Sequence, residues 1–130
     1  MLMKLFARIW DQRMNVQVLS CPVDHPITSL ELTLNQKYLV STAGKKVTFW
    51  DSSSFSKVKE FTLPFEVDSA SLHPEGAKFV AGGSDFYVHV FDFDGKELEV
   101  HKAHHGPVHC VRYSPDGEVY ASGSEDGTIR

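Results

Sequence analysis

Residues 47–51 read VTFWD, and the aromatic-Asp pair at the end of this run recurs at a regular spacing in the chain. Trp50-Asp51 follows Trp10-Asp11 after forty residues, and Phe91-Asp92 follows after a further forty-one. A self-similar period of about 20–50 residues is the signature of architectures built from repeated structural units. The spacing therefore predicts units of about forty-one residues.

The same shift aligns the turn residues of the later units. Residues 73–76 (HPEG) fall onto residues 114–117 (SPDG), and Asp85 falls onto Asp126. Proline presets φ for a turn, and glycine accepts the positive φ that closes it. Turn chemistry and spacing agree, which supports the repeat independently of the aromatic pairs.

Each unit reads as short strands separated by turns. Ile27–Leu32 and Val108–Tyr113 alternate apolar and polar residues, as a half-buried strand does, and Val67–Leu72 does so more weakly. The predicted second strands cover 38–42, 79–82 and 119–123, and the predicted fourth strands cover 16–20, 57–61 and 97–102. No helical pattern of ten residues is present. The predicted fold is all-β, with four antiparallel strands per unit, as in a β-propeller.

Composition limits the classes of partner. The 130 residues are 42% hydrophobic and 23% charged, with a net charge of -4. Nucleic-acid affinity comes mainly from clustered cations, so no direct nucleic-acid partner is expected. No run approaches the ~18 apolar residues of a membrane span, so no membrane partner is expected. Cys21 and Cys110 lie far apart and form no metal-like pair, which predicts neither a disulfide scaffold nor a cysteine-bound zinc ion.

Residues 104–108, 114–117 and 121–130 resemble a WD repeat almost residue for residue. The resemblance extends over residues 5–130 and is strongest in the last unit and weakest in the third. It implies a seven-bladed propeller, of which this chain would supply about three blades. The expected division is a third strand of an incomplete blade (1–11), a WD repeat (12–51), a degenerate repeat (52–92) and a repeat that stops before its Trp (93–130).

The resemblance gives a structural role to residues that imitate a catalytic triad. In WD repeats, a His, a Ser or Thr, an Asp and a Trp form a buried hydrogen-bond chain. The members present here are His25, Ser41, Trp50, Asp85, His104, Ser122 and Asp126. No unit holds all four types. Ser122, His104 and Asp126 could also be read as nucleophile, base and orienting acid, but the structural role is favoured and no enzyme activity is expected.

Two further motifs have competing interpretations. Trp10-Asp11-Gln12-Arg13 matches the WDxR signature of propellers that dock on a cullin-type ubiquitin ligase adaptor, with Arg13 as a charged anchor. Since arginine is common after a WD pair, a ligase substrate receptor is only the alternative function. The histidine-rich residues 101–109 could suggest zinc, but they fall on different strands. No metal and no cofactor is expected.

Three segments outside the general repeat consensus, residues 69–74, 79–85 and 104–112, resemble one subfamily of WD-repeat proteins. This resemblance implies a non-catalytic scaffold of the survival-of-motor-neuron (SMN) complex, which loads Sm proteins onto small nuclear RNAs for mRNA splicing. The implied partners are Gemin and other SMN-complex proteins, together with proteins of transforming-growth-factor-β receptor signalling. The implied localisation is cytoplasmic and nuclear. A related propeller subunit of a translation initiation factor is disfavoured by residues 104–110.

A propeller needs its last blade to meet its first, because closure removes the sheet edges. About three of seven blades leave a ring open. We therefore expect this sequence to be an incomplete segment that exposes blade faces and self-associates.

The third unit lacks a His in the link before it, a hydroxyl at Ala81 and a Trp at Phe91, so we expect Phe79, Val88, Val90 and Phe91 to hold it by apolar packing. Asp85→Ala is then expected to lower the free energy of unfolding less than His25→Ala does. Thermal melts of the two variants measure this order, and the reverse order would contradict the hypothesis.

Overall fold

The computed structural model describes residues 5–11, 16–23, 26–33, 37–54 and 56–130, with only the strand pairing described for 5–11 and 16–23. These ranges contain β-strands, turns and irregular segments, and within them no helix long and apolar enough to cross a membrane is found. The strands are β1 (Leu5–Asp11), β2 (Val16–Val23), β3 (Ile27–Leu32), β4 (Tyr38–Ala43), β5 (Lys46–Asp51), β6 (Lys57–Thr62), β7 (Val67–Leu72), β8 (Lys78–Gly83), β9 (Tyr87–Asp92), β10 (Glu97–Lys102), β11 (Val108–Tyr113) and β12 (Tyr120–Ser124).

The strands form antiparallel sheets in chain order. β3 to β6 make one four-stranded sheet and β7 to β10 make another, while β1 pairs with β2 and β11 with β12. Beyond β12, Ser122 and Arg130 exchange two backbone hydrogen bonds of 2.8 and 2.9 Å. The predicted all-β class and the four-stranded antiparallel units are confirmed. Aromatic-Asp pairs end β1, β5 and β9, so the predicted repeats 12–51 and 52–92 each take their first strand from one sheet and three strands from the next.

Several predicted strand boundaries differ from the observed ones by one to three residues, and β2, for example, ends at Val23 and not at residue 20. The second strand of the last unit begins at Tyr120 and not at Val119. The backbone N–H of Val119 donates to Ser114 Oγ at 3.3 Å, and the N–H of Ser114 donates to the Val119 carbonyl at 2.9 Å. These bonds close the turn around Val119, whose side chain is 64% exposed.

The core lies between successive sheets, and β7, β8 and β9 are largely buried on both faces, whereas β10 is exposed. Phe79, Ala81 and Phe91 pack with side chains of the β3–β6 sheet, including Phe49. The alternate residues Val80, Val88 and Val90 pack with Val108 and Val111 of β11. Because side chains of a strand alternate between its two faces, one strand can serve both clusters. The four residues expected to hold the third unit are each 4% exposed or less.

Because the strands are antiparallel, two kinds of loop lie at the same end of the sheets: the links between sheets and the turns between second and third strands. The links between sheets lie beside the turns that join second and third strands. Leu63 donates its N–H to the Lys45 carbonyl (2.8 Å), Ser84 to Glu66 (3.0 Å) and Glu125 to Pro107 (3.1 Å). We call this end the upper face, and the end with the turns between first and second strands the lower face.

Candidate functional site

The last sheet contains a chain of side-chain hydrogen bonds that starts at His104, in the link before β11. His104 Nε2 lies 2.8 Å from Ser122 Oγ, and Nδ1 lies 3.2 Å from Asp126 Oδ2 and 3.0 Å from Thr128 Oγ1. With its proton on Nδ1, the imidazole donates to the Asp126 carboxylate and accepts from the Ser122 hydroxyl. A single tautomer therefore satisfies both bonds, and three of the sequence-predicted residues lie together.

Burial decides what this arrangement can do. His104 and Ser122 are each 2% exposed, so a substrate cannot reach the hydroxyl, although acid, imidazole and hydroxyl follow the order of a nucleophilic triad. Asp126 Oδ2 also accepts the backbone N–H of His105 at 2.9 Å. These bonds join the link before β11 to the turn after β12. These hydrogen bonds thus fix two upper-face loops relative to each other.

The β3–β6 sheet carries another pair of the predicted residues. Trp50 Nε1 donates to Ser41 Oγ at 2.8 Å, across the pairing of β4 with β5. The two residues are 9% and 3% exposed. His25, the predicted third member, lies outside the described residues.

In the β7–β10 sheet, Asp85 has a partner that sequence reasoning missed. Asp85 Oδ2 lies 2.6 Å from His89 Nε2, and His89 Nδ1 lies 3.0 Å from Glu97 Oε2. The imidazole stacks on Phe65, with ring centroids 4.4 Å apart, and the residue is 7% exposed. With both nitrogens protonated, it donates to both carboxylates. The sequence signal that could have identified this pair is an Asp four residues before a His across a tight turn. The hypothesis that apolar packing holds the third unit did not include the pair.

A second group that sequence reasoning missed lies on the first strands of three sheets. Arg112 of β11 places Nε 2.9 Å from Glu31 Oε2 on β3, and its Nη1 donates to Ser69 Oγ on β7 at 2.7 Å. Ser71 Oγ donates to Glu31 Oε1 at 2.9 Å. The backbone N–H of Tyr113 donates in turn to Ser71 Oγ at 3.1 Å. One guanidinium therefore ties three sheets to each other.

The repeat itself was the signal for this group. Glu31, Ser71 and Arg112 occupy the same position of three successive units, one period apart. Burial raises the pKa of Glu31, while bonds to the Ser71 hydroxyl and the charge of Arg112 oppose that rise. A cleft of about 220 Å³ opens beside it, lined by Glu31, Leu32, Ser71, Leu72, Tyr113 and Pro115.

The WDxR motif is described only in part. Trp10 and Asp11 end β1, where they pair with Gln17 and Val16. Arg13 lies outside the described residues, so the ligase-adaptor contact stays a prediction.

The histidines of residues 101–109 have separate surroundings. His101 contacts Glu99 at 3.0 Å, His104 belongs to the buried chain, and His109 lies 3.2 Å from both Asp68 and Glu125 through its opposite nitrogens. Among the residues that the structure describes, no three His, Cys, Asp or Glu side chains group to hold a metal ion.

The bond between Ser41 and Trp50 can be measured by a double-mutant cycle. Trp50→Phe and Ser41→Ala each leave one buried polar group without its partner, so each is expected to lower the free energy of unfolding by about 1–3 kcal/mol. The double variant is expected to lose ~1 kcal/mol less than the sum. Urea unfolding measures this. Ser54→Ala removes an exposed hydroxyl bonded to Ser56 and is the control, with an expected change within about 0.5 kcal/mol. Strictly additive losses would show that the bond contributes nothing.

Asp126 predicts a loss of stability in acid. Bonds from the Thr128 hydroxyl and then from the His105 backbone N–H hold the pKa of this carboxyl well below its usual range. Its contribution is therefore complete above the ordinary Asp pKa of about 4 and is lost as the pH falls through the lower folded-state pKa. Asp126→Asn is expected to destabilise the protein at neutral pH but to lose less between about pH 4 and pH 2 than the unchanged chain. Urea unfolding at several pH values tests this, and equal acid losses in both proteins would contradict it.

Comparison with known proteins agrees with this architecture. The family WD domain, G-beta repeat matches residues 95–130. The chain is 58% identical over 124 residues to the Dictyostelium discoideum protein named serine-threonine kinase receptor-associated protein, covering 95% of this chain and 42% of that protein. The human protein of the same name is 46% identical over 125 residues, covering 95% of this chain and 36% of that protein. Eukaryotic translation initiation factor 3 subunit I of Drosophila yakuba is 31% identical over 141 residues, covering 94% of this chain and 44% of that protein.

The chain thus spans 36–42% of the length of the two receptor-associated relatives. The subfamily resemblance predicted from residues 69–74, 79–85 and 104–112 is confirmed by these identities, and the translation factor subunit is less similar. The antiparallel four-stranded sheets, the matching WD repeat at residues 95–130 and the similarity to these relatives agree with the predicted WD-repeat architecture.

Proposed function

We propose that this chain is a non-catalytic scaffold of the SMN complex in the assembly of spliceosomal ribonucleoproteins, and that it also binds proteins of transforming-growth-factor-β receptor signalling. The carrying observation is the 58% identity, over 95% of the chain, to a relative whose name states association with a serine-threonine kinase receptor. The SMN-complex part is supported by the resemblance of residues 69–74, 79–85 and 104–112 to the same subfamily.

The geometry supports a scaffold and offers little to an enzyme. The hydroxyl and imidazole that imitate a nucleophile and its base are buried, while the upper-face loops they tie together are exposed at His105 and Glu125. Arg112 and Glu31 hold three sheets in a fixed relation. Rigid sheets that present exposed loops can bind partners while the chemistry occurs elsewhere.

The proposal also includes the cellular localisation and the oligomeric state of the chain. We propose that it works in the cytoplasm and the nucleus, where the SMN complex would require it. We also propose that the isolated chain self-associates, because Ile129 and Val119 of the last unit are 83% and 64% exposed. Exposed apolar side chains favour association.

A capture experiment with purified proteins tests the proposal. The immobilised chain is expected to retain Gemin and Sm proteins, and the cytoplasmic domain of a receptor serine-threonine kinase, but not subunits of translation initiation factor 3. Val111→Asp places a charge at a side chain that is 0% exposed, so this variant should lose the fold and the captured proteins together. Sedimentation of the chain alone gives its oligomeric state. Retention of none of these partners by the folded chain would overturn the proposal, as would preferential retention of the initiation factor subunits.

A further inference from the structure

Phe86 has a left-handed backbone conformation, and glycine takes this conformation in the corresponding turns of the neighbouring sheets. Its φ is 71°, in the turn between β8 and β9, whereas Gly44 (58°) and Gly127 (84°) take the left-handed positions of the neighbouring turns. A Cβ disfavours this conformation. The Phe86 side chain is 41% exposed, so burial of the ring does not explain its presence. Strain retained at an exposed position points to a functional constraint.

A cleft lies next to this turn on the upper face. It measures about 210 Å³ and is lined by Pro26, Thr28, Gly44, Glu66, Val67 and Asp68. Ser84 donates its N–H to the Glu66 carbonyl at 3.0 Å and accepts the Glu66 N–H on Oγ at 3.2 Å. Glu66 therefore lies between the cleft and the turn that carries Phe86.

The inner part of the upper face carries an excess of negative charge. Its carboxylates are Glu66, Asp68, Asp85, Glu125 and Asp126, and its cations are Lys45 and Lys46 at the neighbouring turn and Lys102 on the outer strand. Asp68 and Glu125 share His109. The Glu66 side chain is exposed, and its carboxylate has no hydrogen-bond partner within the described ranges.

We infer that this part of the upper face binds an arginine-bearing segment of a partner protein. Glu66 would accept the guanidinium in the cleft, and the exposed rings of Phe86 and Tyr87 (41% and 38%) would cover the apolar stem. A planar guanidinium donates two parallel bonds to a carboxylate and also stacks on aromatic rings. The inference rests on the proposed scaffold function and adds the chemistry of the partner.

The test measures binding of labelled peptides to the full chain by fluorescence anisotropy. The probe is a capped peptide of alternating Ala and Arg, with a peptide of alternating Ala and Glu as comparison. Only the Arg peptide is expected to bind. Glu66→Gln is expected to weaken it about tenfold, the size of one lost charge-assisted hydrogen bond. Glu75→Gln makes the same charge change in an exposed turn of the lower face and should leave binding unchanged.

Phe86→Gly separates binding from folding. Glycine accepts the positive φ, so the unfolding midpoint in urea is expected to stay the same or rise, while the Arg peptide binds more weakly. The inference is overturned by equal binding of the Ala-Glu peptide, by no binding of the Arg peptide, or by equal losses in Glu66→Gln and Glu75→Gln. If the peptide experiments fail while Gemin, Sm and receptor proteins are still captured, the inference fails and the proposed function stands. If the capture fails while the Arg peptide still binds, the proposed function fails and only the peptide chemistry of the site remains.

Discussion

Burial of β7, β8 and β9 between neighbouring strands on both faces is the constraint on which the other features depend. Phe79 faces the β3–β6 sheet and Val80 faces β11, and both side chains are 0% exposed. Full burial of a side chain of this kind contributes roughly 1.5–3 kcal/mol, and strands of this sheet do so on two faces. Both faces of these strands are therefore covered by neighbouring strands, and the upper-face loops lie beside each other.

Apolar packing is non-directional, so polar contacts specify how the stacked sheets are aligned. An ion pair as exposed as Arg112 with Glu31 contributes about 1 kcal/mol or less. The geometry of the pair matters more for alignment than its energy does, because Arg112 also donates to Ser69 and so contacts β3 and β7 at the same time. We interpret this group as an alignment device that keeps the scaffold rigid.

Three sheets each contain a polar side-chain pair, and the pairs are made of different residues. Trp50 with Ser41 joins the third strand of its sheet to the second, and His89 with Asp85 joins a third strand to the turn before it. His104 with Ser122 joins the link before the last sheet to its second strand. A buried polar group is tolerated only when it is paired, so these pairs must be kept in some form. The exposed turns above them are free of that requirement, and this is where Phe86 departs from the glycine of its neighbours.

Local sequence determined the strands, most turns and the repeat, because alternation, Pro-Gly turns and a forty-one-residue spacing are properties of the chain itself. It also identified Ser41, Trp50, His104, Ser122 and Asp126 through the family resemblance. Other features became visible only in the tertiary structure. They are the end of one turn at Val119, the contact of His89 with Asp85 and Glu97, the left-handed backbone of Phe86 and the group around Arg112. These contacts depend on which faces and ends of the strands meet. Arg112 meets Glu31 because β3 and β11 both contact β7, through the bond from Thr28 to the Val67 carbonyl and the bond from the Val111 N–H to Ser69.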